Sequence, residues 1–152
     1  MGLINQDFRS LTLEEFDETI AGLNRLSFVC IPRLAGNDED AIELVVHIKL
    51  ARDALGKIKQ QVYGTGEPHG AVDFEKFALE HYEMVVDGMA GLAMYAIPSF
   101  VGDIGIYAVT EYVLACMIAG DAVDEIKRQV YGEEGNDGPY KPGTEESTSG
   151  EV

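Results

Sequence analysis

The sequence is short of positive charge: 11 lysines and arginines stand against 27 acids, for a formal net charge of −16. Such a surface repels nucleic-acid phosphates and anionic lipid headgroups, which argues against direct nucleic-acid binding and against a charge-held membrane association. Cysteine is nearly absent. Cys30 and Cys116 stand alone, with no CxxC pair and no secretory leader, so they read as buried thiols in a reducing, cytoplasmic compartment. Long apolar runs are missing too. The longest uncharged run, Gly88–Gly102, has 15 residues, contains Pro98 and is flanked by acids, which is short and wrongly flanked for a membrane span. A phosphate-binding glycine loop is also lacking, because Gly64-Thr65-Gly66 follows a helical pattern instead of opening a helix after a strand. Neither cysteine has an evident base for nucleophilic catalysis.

What the chain does have is a repeat. Ala41–Gly64 and Val109–Gly132 match at 11 of 24 positions without a gap, and both close on Gln-Val-Tyr-Gly. In the first copy Leu44, Ile48, Ala51, Leu55, Ile58 and Val62 are spaced alternately by four and three residues. Tyr112, Cys116, Ala119, Val123, Ile126 and Val130 fall at the same offsets in the second. An apolar residue every three to four positions, sustained this long, is one stripe of a packed helix. The final glycine suits the left-handed stop of a helix, and Lys57, Lys59, Lys127 and Arg128 suit its negative end. These segments are expected to be the second and fourth helices.

The resemblance between the halves continues upstream: Leu26, Ile31, Pro32 and Gly36 recur as Leu92, Ile97, Pro98 and Gly102. Thr12-Leu13-Glu14-Glu15 has the form of a capping box, opening a first helix that buries Phe16, Ile20, Leu23 and Leu26 and runs to about Val29. Pro32 ends it. Asn37-Asp38-Glu39-Asp40 is the acidic start of the second helix. A third helix is expected from Asp73 as N-cap to Ala96, with Phe74, Ala78, Tyr82, Val85, Met89, Leu92 and Ala96 inward. The predicted fold is therefore all-α, a four-helix bundle of two tandemly duplicated hairpins. The bundle covers 1–132, with repeat A at 12–64 and repeat B at 72–132; Met1–Ser10 forms an arm. Residues 133–152 are rich in Gly, Pro, Ser and Glu, without periodicity, and are expected to be a disordered acidic tail.

Met84 to Gly120 contains three acids, no bases and otherwise mostly small and apolar residues. Its apolar content covers more than one helical face. Gly88, Gly91 and Tyr95 on the third helix, with Tyr107, Leu114 and Ile118 on the fourth, are the candidate contact residues for another subunit or partner. The competing reading makes these two helices the bundle centre. Lys59/Lys127 and Tyr63/Tyr131, kept in both copies, read either as a pair of related sites or, more simply, as helix caps and end-fillers.

Metal chemistry has two openings. Glu43 and His47 lie one helical turn apart, and Glu80, His81 and Glu83 cluster on the third helix, but the paired Glu-x-x-His motifs of di-iron bundles are absent. Glu15-Phe16-Asp17-Glu18 resembles, in form, the Glu-x-x-Glu element of the all-α nucleoside triphosphate pyrophosphohydrolases, the MazG-like enzymes. That resemblance implies Mg2+ as cofactor, held by Glu15, Glu18, Asp40 and Glu43. The matching second element, Glu-x-x-Asp, is missing: Asp40-Ala41-Ile42-Glu43 has its acids reversed, and Gly88-Met89-Ala90-Gly91 has none. An incomplete ligand set serves a triphosphate poorly. The leading expectation is a non-catalytic, acidic interaction protein without a cofactor. It would bind and block a protein partner of basic character and self-associate through its third and fourth helices.

Overall fold

The computed structural model describes residues 3–30, 38–64 and 72–132, and its regular elements are all helical. Four helices build the bundle: α1 (Leu13–Arg25), α2 (Asp38–Tyr63), α3 (Leu79–Gly91) and α4 (Ile106–Tyr131). α4 packs against each of the other three. α1 and α2 run antiparallel, as Lys59 reaching Asp17 at 2.7 Å and Arg52 reaching Asn24 at 2.9 Å require. The ends of the bundle therefore differ. One holds the Tyr-Gly stops and the starts of α1 and α3; the other, the turn end, holds the close of α1 and α3 and the starts of α2 and α4.

Local chemistry sets these boundaries. Thr12 accepts the Glu15 amide while Glu15 accepts the Thr12 amide, completing the capping box that opens α1. Gly64 (φ +64°) and Gly132 (φ +94°) take the positive-φ conformation that ends α2 and α4. Both predicted stripes face the core. Ile48, Ala51, Leu55 and Ile58 of α2 are buried, as are Tyr112, Cys116, Ala119, Val123 and Ile126 of α4. Phe16, Ile20, Leu23 and Leu26 meet them from α1, and Tyr82, Val85, Met89 and Leu92 from α3.

The halves match element by element. α1 and α3 have 13 residues each, and each continues into five residues of π-helix, Leu26–Cys30 and Leu92–Ala96. α2 and α4 have 26 residues each. An aspartate, Asp7 or Asp73, caps a short 3-10 turn ahead of each hairpin. Tyr63 donates its hydroxyl to the Leu11 carbonyl, and Tyr131 donates its own to Phe77. Gln61 and Gln129 exchange two amide hydrogen bonds, at 2.8 and 2.9 Å.

Three expectations change. Asp73 does not open α3: its carboxylate accepts the Glu75 amide in a 3-10 turn, Phe77 and Ala78 follow, and the helix starts at Leu79. The Phe77 carbonyl is taken by Tyr131, which holds that stretch out of the helix. Second, the N-terminal arm is docked. The buried Asp121 carboxylate accepts the amides of Leu3, Ile4 and Gln6, and Phe8 is buried against Phe16. Third, two helical stretches, Leu79–Ile104 and Ile106–Tyr131, are long and apolar enough to cross a membrane by length and composition alone. The uncharged run between Asp87 and Asp103 missed this, because π and 3-10 turns carry the helical path through Pro98 and single acids barely lower the mean hydropathy. The second stretch is 56% buried within the bundle and the first 28%, so the first is the more open to surroundings. The expected Ile31-Pro32 turn, Gly36, Asn37, the 65–71 link and the 133–152 tail lie outside the described residues.

Candidate functional site

The residues expected to hold Mg2+ do not converge. Glu15 is engaged in the α1 capping box and Glu18 is exposed on the same first turns, at the stop end. Glu43 is exposed near the start of α2, at the turn end. Since Asp17 faces Lys59, the distance from Glu18's neighbourhood to Glu43 along α2 is roughly 22 Å at 1.5 Å per residue. Asp40 shares the first turns of α2 with Glu43, and its side chain lies outside the described residues. Antiparallel pairing of α1 and α2 thus separates the two halves of that ligand set. His47 turns toward α3 instead of toward a carboxylate cluster, and a Cβ on Gly88 would sit 2.6 Å from its Nδ1. His81 packs edge-on against Phe77, with ring centroids 5.9 Å apart. Among the described residues no group of three or more His, Cys, Asp or Glu is arranged to hold a metal ion.

The repeated lysines and tyrosines have structural partners. Lys59 pairs with Asp17; Lys127 pairs at 3.2 Å with buried Asp124, which also accepts Arg128 at 2.8 Å. Tyr63 and Tyr131 tie the helix stops to the entry of α1 and α3. On either side of the Gln61–Gln129 pair lie two open clefts of about 490 and 500 Å³. One carries Arg9 and Glu125, the other Lys57 and Glu75, so each is charge-balanced and neither concentrates charge of one sign.

The turn end is different. Of the thirteen large apolar side chains exposed among the described residues, nine belong to it. Tyr107 is 90% exposed, Phe28 83% and Tyr95 74%; Met94, Val101 and Ile106 lie open beside them in sequence or at the same end. Ile42, Val46 and Leu114 extend the apolar surface down the flanks of α2 and α4. Charge is kept to the margin: Arg25 pairs with Glu111 at 2.8 Å, and Glu39, Glu43 and Asp103 are exposed nearby.

Of the six expected contact residues, Tyr95, Tyr107 and Leu114 stand on this open end. Gly91 borders free space, with nothing within 4 Å of where its Cβ would be. Gly88 and Ile118 face inward. Gly88 lets His47 approach α3, and Ile118 is 6% exposed within the core. Helical spacing alone placed Ile118 off the main stripe, but α4 is packed from three sides and buries more than one stripe. Sequence reasoning missed Phe28, Ile42 and Val46 of the first half, because they were read within an ordinary core-facing hairpin. The signal was available in Phe28, which falls two residues after the inward Leu26.

Comparison with protein-family models, curated proteins and solved structures finds no match for this chain.

Proposed function

We propose that this chain is a non-catalytic interaction protein that engages a basic protein partner through its apolar turn end and the acidic margin around it. The observation that supports this reading most is the collection of nine exposed large apolar side chains at one end of the bundle. Monomers rarely leave a contiguous apolar patch beyond roughly 300–600 Å². Aromatic residues such as Tyr95, Tyr107 and Phe28 are the types that anchor interfaces. A net charge of −16 favours a partner of opposite sign and speeds its approach. A cytoplasmic setting fits a chain whose Cys116 is buried.

A lysine-rich amphipathic peptide labelled for fluorescence anisotropy tests the reading. Binding should weaken with added salt and should drop for the Tyr95→Asp/Tyr107→Asp double variant. Absence of binding at low salt removes the proposal for a basic partner. Turnover of a nucleoside triphosphate with Mg2+ removes its non-catalytic part, and returns attention to the carboxylates of α1 and α2.

A further inference from the structure

We infer that the apolar turn end also pairs with the turn end of a second copy, forming an end-to-end dimer in which both hairpins take part. This rests on the reading that the turn end is the contact surface. Three observations carry it further, to the occupant.

The first is size. With large side chains offering roughly 150–250 Å² each, the exposed fractions of these nine leave on the order of 1,000 Å² of apolar surface. One partner in a standard stable interface contributes about 800 Å². The second is position. The turn end includes residues of both halves, so the surface is not confined to α3 and α4. Phe28 and Met94 are each the third residue of a five-residue π segment, and both are exposed. Val46 and Leu114 are each the ninth residue of a 26-residue helix, exposed by 47% and 50%. The face thus presents the same features twice, about the line on which Gln61 and Gln129 exchange their amides. Any contact that one hairpin makes with a second copy can be made again by the other hairpin, which is what an isologous pairing requires. The third is charge. The exposed charges at the margin are mainly acidic, with Arg25 already paired to Glu111. An anionic bilayer is repelled by such a margin at any distance of approach. A second copy is repelled too, but at contact its apolar face matches in kind and the acids stay at the wet rim.

Like-charge repulsion fixes the sign of the salt effect. Raising salt from about 50 mM to about 500 mM shortens the screening length severalfold, so dimerisation should tighten, opposite to the basic-peptide complex. The experiment is sedimentation equilibrium of the full chain at both salt concentrations, with Phe28→Asp, Tyr107→Asp and, as a control off the turn end, Met84→Asp. All three positions are exposed, so circular dichroism is expected to report an unchanged fold. The expected result is a dimer that tightens with salt. Phe28→Asp and Tyr107→Asp should each weaken it by at least about 30-fold, while Met84→Asp leaves it unchanged. A chain that stays monomeric at both salts overturns the inference, and so does a dimer broken by Met84→Asp but not by Phe28→Asp. A monomer that floats with neutral phosphatidylcholine vesicles, and loses that binding in Tyr107→Asp, assigns the face to lipid and likewise overturns it. Peptide binding without self-association would leave the proposed function standing and this inference refuted. Self-association without peptide binding would do the reverse.

Discussion

Asp121→Ala should release the N-terminal arm and cost about 2–3 kcal/mol. Asp121 is a buried carboxylate on the core helix, and its oxygens accept three amides: those of Leu3, Ile4 and, at 2.8 Å, Gln6. A hydrogen bond to a charged acceptor is worth about 1.5–3 kcal/mol net, so three of them would naively exceed 4 kcal/mol. The loss is capped, however, by the free energy of docking the arm. Once the arm leaves, its amides bond to water and the groove opens. Docking gains those bonds and the burial of Phe8 and Leu3, about 1.5–3 kcal/mol for each side chain fully buried. It must also order the backbone of residues 3–7 at about 1–2 kcal/mol each. A few kcal/mol remain, which for a domain of this size lowers Tm by roughly 6–12 °C. Thermal unfolding followed by circular dichroism measures it. A second variant lacking residues 1–6 closes a double-mutant cycle: if the carboxylate acts only by holding the arm, the combined variant should be no less stable than the worse single one. Additive losses, or an Asp121→Ala change below about 0.5 kcal/mol, would refute the reasoning.

Further outcomes follow from single positions. Tyr82 donates to the Phe74 carbonyl in the core, and burial, with smaller contributions from Tyr131, Asp73 and Glu75, raises its pKa well above the ordinary 10.0. The folded state holds the neutral phenol while the unfolded chain ionises. The stability this contributes is therefore complete below pH 10 and falls as pH rises beyond it. Tyr82→Phe should flatten that alkaline decline in urea titrations, while costing about 1 kcal/mol at neutral pH. A decline of unchanged steepness would show that Tyr82 is not its source. Gly91→Ala meets nothing within 4 Å and should raise the urea midpoint by about 0.5–1 kcal/mol equivalent, with an unchanged m value. Gly88→Ala places a Cβ 2.6 Å from His47 and should show no such gain; equal stabilisation by both would mean that His47 moves away freely.

The bundle was legible because its largest signals are local and periodic. The α2 and α4 stripes, the capping box at Thr12 and the Tyr-Gly stops each follow from a few neighbouring residues. Asp121 was not legible as an arm clamp, since its donors lie more than a hundred residues away in sequence. Its recurrence at Asp53 in the other half was visible, but a repeated acid among apolar neighbours does not name its partners. The proposed metal set failed for the converse reason. Glu15, Glu18 and Glu43 were joined by motif form, and only the antiparallel course of α1 and α2 shows that the form spans the length of the bundle. At the turn end, the sequence marked Tyr95, Tyr107 and Leu114 as surplus to one stripe but could not see that Ile118 is covered, because burial on α4 depends on three neighbours at once.

The paired π segments carry a consequence for how the chain could be altered. A π turn wraps one residue more than an α turn, so it behaves as a one-residue insertion that the helix absorbs without breaking. In Leu92–Ala96 the Ile97 amide bonds back to the Leu92 carbonyl at 2.9 Å, five residues away, and both side chains are buried. That phase is what turns Met94 and Tyr95 outward. Deleting a single residue from the segment would restore α-helical phase and rotate everything beyond it by about 100°. Ile97 would leave the core, and a different set of side chains would reach the surface. The outward aromatic end is thus governed less by which residues are present than by one residue of phase, and a deletion scan would read that dependence more sharply than any substitution.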